Sequence, residues 1–171
     1  MRELCAFHEF LCRLRLANIM KIIAFMCLIS LVFFELPIFA QTVSSVSFVT
    51  IDQGQDSGVT TARNVAIYKR KDWKTFWKEH AGDSTPPSIN FRKKMVVAVI
   101  LGTRSNGCYS VNIDNVENET GQQLIVYYTE TMPGETCACT QAITNPYHIV
   151  KTKKSKLDVV FQGNTATLTC E

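Results

Sequence analysis

Residues 91–102, FRKKMVVAVILG, decide the fold class, because their apolar centre shows no alternation with polar residues. Residues 95–101 are all apolar and are enclosed by Lys94 and Gly102. A run this short does not reach the length of an ordinary helix and is typical of a strand covered on both faces. The sequence therefore predicts a central strand with material packed on each side of its sheet.

Two alternating segments follow this run. Residues 106–113, NGCYSVNI, open with an Asn-Gly turn signal and continue with Tyr109, Val111 and Ile113 between polar residues. Such alternation is typical of a half-buried strand. Residues 124–131, LIVYYTET, predict the next strand. Together with the apolar run at residues 95–101, these segments predict an antiparallel meander.

The remaining strands are predicted from β-branched and aromatic residues between turn signals. Residues 139–150 predict a strand that is interrupted at Asn145 and Pro146. Residues 157–162 and 165–170 predict a closing hairpin that turns at Gly163 and Asn164. The strands predicted before residue 91 span residues 47–51 and 62–68.

One helix is predicted at residues 73–81, with Asp72 as its N-cap and Gly82 as its stop. Its aromatic residues fall at helical spacing on one face and need a surface to pack on: Trp73, Phe76, Trp77 and His80. The predicted fold class is α+β, a twisted antiparallel β-sheet or small sandwich with this amphipathic helix packed on it.

The N-terminal region predicts an export signal. Lys21 precedes an apolar run at residues 22–34, which is shorter than the roughly 20 residues that a membrane-spanning helix needs. We expect cleavage after Ala40, with an uncleaved anchor as the alternative. Met20 is the more ordinary start, so residues 1–19 are interpreted as a mis-annotated extension, 20–40 as the signal peptide and 41–171 as one domain. The predicted location is periplasmic, cell-surface or secreted.

Charge excludes one class of partner. The chain carries 18 basic and 15 acidic residues, for a formal net charge of +3. That balance is too mild to predict nucleic-acid binding. The sequence also lacks a recognisable Ser-His-Asp constellation, a paired-carboxylate motif, a phosphate-binding glycine loop and a metal-helix motif, so we predict no catalytic residue, no metal and no cofactor.

Four cysteines follow the predicted cleavage site: Cys108, Cys137, Cys139 and Cys170. An even number in an exported chain predicts two disulfides. Strand order brings Cys108 close to Cys137 or Cys139, which leaves the other for Cys170. The alternatives are a zinc site in which His148 joins three cysteines, and a catalytic pair of Cys137 and His148.

Residues 91–102, 106–113 and 132–150 (MPGETCACTQAITNPYHIV) resemble, in order and spacing, the C-terminal domain of the PrcB family. The resemblance is strongest over residues 71–161, although Cys108 stands where the family commonly has a glycine. It implies a non-catalytic, exported domain that associates with and stabilises a partner, typically a secreted protease. No lipobox is present, so no membrane attachment is expected after signal cleavage.

The predicted function is therefore an accessory subunit of a secreted protease complex. The alternative is a secreted protease inhibitor, and a small hydrolase, a redox protein or a zinc-binding protein is less favoured. The contact edge is predicted at two loops, residues 103–108 and 132–136, with support from the Pro-Tyr segment. In the first loop, a positive φ at Gly107 is expected to turn the backbone sharply and to expose Arg104 and Asn106. The candidate partner-binding residues are Arg104, Asn106, Gly107, Tyr109, Met132, Pro133, Gly134, Pro146 and Tyr147.

Overall fold

Two four-stranded sheets and one helix build the part of the chain that this computed structural model describes, residues 43–170. In chain order the elements are β1 (Val43–Ser45), β2 (Phe48–Gly54), β3 (Arg63–Ile67), α1 (Arg70–Ala81), β4 (Lys94–Ile100), β5 (Ser110–Glu119), β6 (Gln123–Pro133), β7 (Tyr147–Lys153) and β8 (Asp158–Leu168). The predicted N-terminal extension and signal peptide lie outside the described residues.

The strands divide into sheet A, with the order β1-β5-β6-β8, and sheet B, with the order β2-β7-β4-β3. The predicted meander is therefore wrong at its first step, because β4 lies in sheet B whereas β5 and β6 pair in sheet A. All pairings are antiparallel except that of β6 with β8. Sheet B lies between sheet A and α1, because apolar side chains fill a core on each of its faces. The predicted α+β class, in its sandwich form with one helix, is confirmed.

Strand β4 is central to sheet B and supplies both cores. Met95, Val97 and Val99 pack toward sheet A, whereas Val96 and Ala98 pack toward the helix. Each of these side chains is at most 1% exposed. Burial of a large apolar side chain contributes about 1.5–3 kcal/mol, so the unbroken apolar run stabilises two interfaces at once.

The helix packs its aromatic face on sheet B as predicted, but it begins earlier than expected. It starts at Arg70, and Lys69 caps it without a side-chain hydrogen bond. Asp72 therefore lies in the first turn, where a carboxylate still favours the positive helix end. The predicted N-cap role of Asp72 is wrong. The predicted stop is confirmed, since Gly82 has a φ of 61° and donates to the Lys78 carbonyl oxygen at 3.1 Å.

The predicted closing hairpin is wrong, because β8 is one continuous strand parallel to β6. Gly163 stands directly beside Tyr128 in this ladder, and a Cβ at Gly163 would lie 2.5 Å from Cζ of the tyrosine ring. The glycine thus makes room for an aromatic ring on the neighbouring strand and does not form a turn.

The predicted strand at residues 139–150 is also wrong over its first part. Residues 137–143 form no regular element, and β7 begins only at Tyr147. Cystine bridges and isolated hydrogen bonds hold this segment in place of a strand ladder.

Candidate partner-binding rim

The predicted contact loops lie together at one end of the sandwich. We call residues 103–109 and 132–143 the rim. Ser110 at the start of β5 pairs with Thr131 near the end of β6, so the segments that precede and follow these residues share this end. The structure therefore brings together the two loops that sequence reasoning selected.

Two disulfides brace the rim. Cys108 pairs with Cys139 and Cys137 with Cys170, with Cα–Cα distances of 5.5 and 5.1 Å. The first bridge ties the two rim segments together, and the second ties the rim to the end of β8. Paired cysteines of this kind indicate an oxidising environment. Because the four sulfurs are bonded in two pairs, the zinc site of three cysteines and His148 is not assembled.

Arg104 is held inside the rim. Its Nε and Nη2 donate to one oxygen of Glu130 at 3.1 and 2.9 Å, and its Nη1 donates to the Leu101 carbonyl oxygen at 2.7 Å. The guanidinium also lies 5.7 Å from the centre of the Tyr109 ring. The expectation that the turn exposes Arg104 is wrong, because only 26% of its side chain is exposed. Its charge orders the loop.

Asn106 and Gly107 also make contacts within the domain, so the expected exposure of Asn106 is likewise wrong. Gly107 does not adopt the positive φ that was expected of it. The Asn106 side-chain oxygen accepts from the Cys108 amide at 3.0 Å, which is a local turn bond. Gln55 clamps the loop by donating to the carbonyl oxygens of Gly107 and Tyr109, both at 2.9 Å. A Cβ on Gly107 would lie 2.2 Å from the Thr140 hydroxyl, so close packing requires the glycine.

The second loop has a different character. Met132 is 38% exposed, and Pro133 beside it ends β6. Gly134 donates its amide to the Leu168 carbonyl oxygen at 3.2 Å, and a Cβ at this position would lie 2.5 Å from that oxygen. Gly134 therefore lets β8 approach the rim, whereas Met132 offers an apolar side chain to solvent.

Pro146 and Tyr147 are buried, and their prediction as partner contacts is wrong. The Pro146 carbonyl oxygen accepts from the Leu101 amide at 2.9 Å. The Tyr147 ring is 8% exposed and meets His80 edge-on at 4.4 Å. Burial, with the neighbouring Asp52 carboxylate, raises the pKa of Tyr147 to about 12. Pro146 and Tyr147 therefore pack inside the domain and give the rim structural support.

Ile143 is the rim residue that sequence reasoning missed. It is 76% exposed, while the adjacent Thr144 is buried and exchanges backbone hydrogen bonds with Arg104 at 2.8 and 3.0 Å. The segment was interpreted as a strand, which hid the outward position of Ile143. The available signal was one large apolar residue in the segment TQAITN, residues 140–145.

His148 is a structural residue between the sheets. It is 2% exposed, its Nδ1 accepts from the Ile113 amide at 2.7 Å, and its Nε2 lies 2.8 Å from the Thr50 hydroxyl. The Ile113 bond requires an unprotonated Nδ1, so the ring is neutral with its proton on Nε2. Burial lowers the pKa of His148, against an opposing effect of Asp114. The ring is thus unavailable to Cys137.

The structure also assembles a serine, a histidine and an aspartate that are distant in the sequence. The Ser57 hydroxyl lies 2.9 Å from Nδ1 of His80, and Nε2 of His80 lies 3.1 Å from an Asp52 oxygen. Ser57 and His80 are each 3% exposed, and Ser57 also accepts from the Val59 amide at 3.1 Å. The hydroxyl is closed to substrate, so this relay anchors the end of α1 to the chain after β2.

One known protein family matches the part of the chain that contains the rim. Residues 95–153 match the model of the PrcB C-terminal family. The resemblance predicted from the sequence is confirmed over this segment. The PrcB C-terminal match runs from β4 to the end of β7 and contains the whole rim, whereas α1 and β8 lie outside it. No curated protein and no solved structure matches the chain.

Two further observations concern the described residues. Between residues 43 and 170, no helix is long and apolar enough to cross a membrane. Within the same span, no three side chains of the metal-ligating types cluster as they would around an ion.

Proposed function

We propose that this domain is an exported, non-catalytic subunit that binds a partner protease through the rim and stabilises it. The PrcB C-terminal match supports an accessory role in a protease complex, and the two cystine bridges support export to an oxidising compartment.

The braced rim carries the proposal. Its backbone is tied down by two disulfides, the Arg104–Glu130 ion pair and the Gln55 clamp, yet it presents the exposed apolar side chains of Met132 and Ile143. A rigid surface loses little conformational entropy on association, and exposed apolar anchors on it give up water contacts. This combination fits a protein-binding surface better than a substrate cleft.

The proposal is tested by recovering partners of the tagged chain from the exported fraction of its own host. Wild type is compared with Ile143→Ser and with the matched control Val49→Ser, which replaces a 57% exposed valine on β2 away from the rim. An anchor residue contributes about 1–2 kcal/mol, so we expect about 5- to 30-fold less protease with Ile143→Ser. The control is expected to recover as much protease as wild type.

Equal recovery by the two variants would remove the rim from the proposal, and the absence of any protease would overturn the accessory role. Activity of the recovered protease then separates the two functions that the sequence left open. A stabilised protease keeps its turnover and gains thermal half-life when the purified domain is added. Loss of turnover under the same conditions would instead identify an inhibitor.

A further inference from the structure

The edges of the two sheets are unequally protected against pairing with another strand. Edge strand β1 has three residues, β2 has a register shift between Thr50 and Asp52, and β3 has five residues beginning with Arg63. Short length, bulges and charges are the ordinary protections of sheet edges. Strand β8 has none of these protections after its first residue.

Strand β8 runs for 11 residues without a register shift, and among residues 43–170 its one paired neighbour is β6. Asp158 is its single charged residue, and it contains no proline. Side chains at residues 162–168 are exposed on both faces. The second half of the strand is therefore held mainly by its ladder with β6, and within residues 43–170 no strand pairs with its opposite edge.

The backbone bonds indicate which peptide groups face that edge. Leu168 pairs with Pro133, and its carbonyl oxygen accepts from Gly134 on the β6 side. The N–H and C=O of one residue point to the same edge of a strand, and this direction alternates from residue to residue. The N–H and C=O groups of the even-numbered residues therefore point toward β6. Those of the odd-numbered residues from Val159 to Thr167 point outward, where they can donate to and accept from an added strand.

We propose that β8 pairs with β8 of a second copy of this chain, antiparallel about Asn164, to join two copies of sheet A into one eight-stranded sheet. In this register Val160 lies opposite Leu168 of the second copy, and the reverse pair follows from symmetry. These residues are 42% and 38% exposed and share one face of the strand. Pairing covers both and completes the outward backbone bonds.

Charge makes a second copy the fitting occupant. Antiparallel pairing places the two Asp158 side chains at opposite ends of the new ladder, so no like charges meet. The bridge between Cys137 and Cys170 also holds the far end of β8 in place, which lowers the ordering cost of pairing. This inference does not depend on the proposed protease partner.

The test uses the exported chain with one added cysteine. Directly opposed residues of an antiparallel pair have Cα atoms about 4.5–5.5 Å apart, within disulfide reach, so Asn164→Cys is expected to cross-link two chains on oxidation. The control Gln162→Cys alters the same face, but its two sulfurs sit four residues out of register, about 13 Å apart, and cannot bridge. Mass analysis of the linked peptide identifies the bridge.

A second measurement needs no added thiol. Light scattering of the wild type at rising concentration is expected to approach twice the mass of one chain. Thr165→Pro removes an outward N–H without touching the β6 ladder, so it is expected to stay at the mass of one chain with an unchanged circular dichroism spectrum. A wild type that stays monomeric, or equal cross-linking of the two cysteine variants, overturns the inference.

Discussion

Replacing both Cys108 and Cys139 by serine removes the bridge that joins the two rim segments. The bonded cysteines are 31 residues apart, and the bridge constrains the unfolded chain in proportion to the logarithm of that separation. The chain-entropy relation gives about 3.7 kcal/mol at 25 °C for a loop of this length. Neither residue belongs to the two cores, so we expect no further packing loss.

Urea unfolding of the oxidised proteins, followed by tryptophan fluorescence, measures this loss. Trp73 and Trp77 lie in the helix-side core and report its opening. For a slope of about 2 kcal/mol per molar urea, the midpoint of the variant is expected to fall by about 2 M. The slope itself is expected to rise slightly, because the unbridged unfolded chain exposes more surface.

The second bridge is the matched control. Cys137 and Cys170 are 33 residues apart, so the double serine variant at these positions is expected to lose the same free energy within a few tenths of a kcal/mol. The two loops overlap by only a few residues, and full reduction is expected to cost about the sum. A loss below about 1 kcal/mol for either bridge, or a twofold difference between them, would refute the entropic reasoning.

Three further predictions address single side chains. Arg104→Met leaves the half-buried Glu130 carboxylate unpaired and is expected to cost about 1–3 kcal/mol in urea unfolding, with the loss largely insensitive to salt. Burial lowers the pKa of His148 in the folded protein, so its contribution to the free energy of unfolding is complete above about pH 6.5. That contribution is lost as the pH falls toward the folded pKa, with a slope of up to about 1.4 kcal/mol per pH unit. His148→Gln is therefore expected to flatten the profile of melting temperature against pH below about pH 6.5. Gly163→Val drives a side chain into the Tyr128 ring and is expected to cost about 1–3 kcal/mol by thermal melting, and an unchanged melting temperature would contradict the strand assignment.

The elements that the sequence predicted well are those with one dominant pattern. The apolar run from Met95 to Leu101 has no reading other than a doubly covered strand, and the structure covers both of its faces. The aromatic spacing from Trp73 to His80 likewise has one interpretation, a helix packed on a sheet. In both cases burial of large side chains outweighs every local preference.

The wrong strand predictions occur where a tertiary contact overrides a local sequence signal. Gly163 and Asn164 are an ordinary turn dipeptide, yet the Tyr128 ring on β6 needs the space that the glycine leaves. β-Branched residues after Cys139 predicted a strand, but the bridge to Cys108 holds that segment as a loop. Contacts of this kind join residues distant in the sequence, so no local pattern predicts them.

The candidate site divides in the same way. The position of the rim followed from strand order, which is a property of the whole sheet. The exposure of Arg104 could not be predicted from strand order, because it depends on the Glu130 carboxylate 26 residues later. The relay of Ser57, His80 and Asp52 was invisible for a similar reason, since α1 must dock before its histidine meets the other two residues.

The order of strands in sheet B has a consequence for how this protein reaches its native state. Phe48 of β2 lies beside Thr152 of β7, and β7 also separates β2 from β4. Synthesis must therefore reach β7, residues 147–153, before sheet B can close. Contacts between such remote segments slow folding, and until β7 is in place β2 has no neighbour in sheet B. The bridge between Cys137 and Cys170 requires residues that follow β7, so it forms only after the segments of sheet B are available.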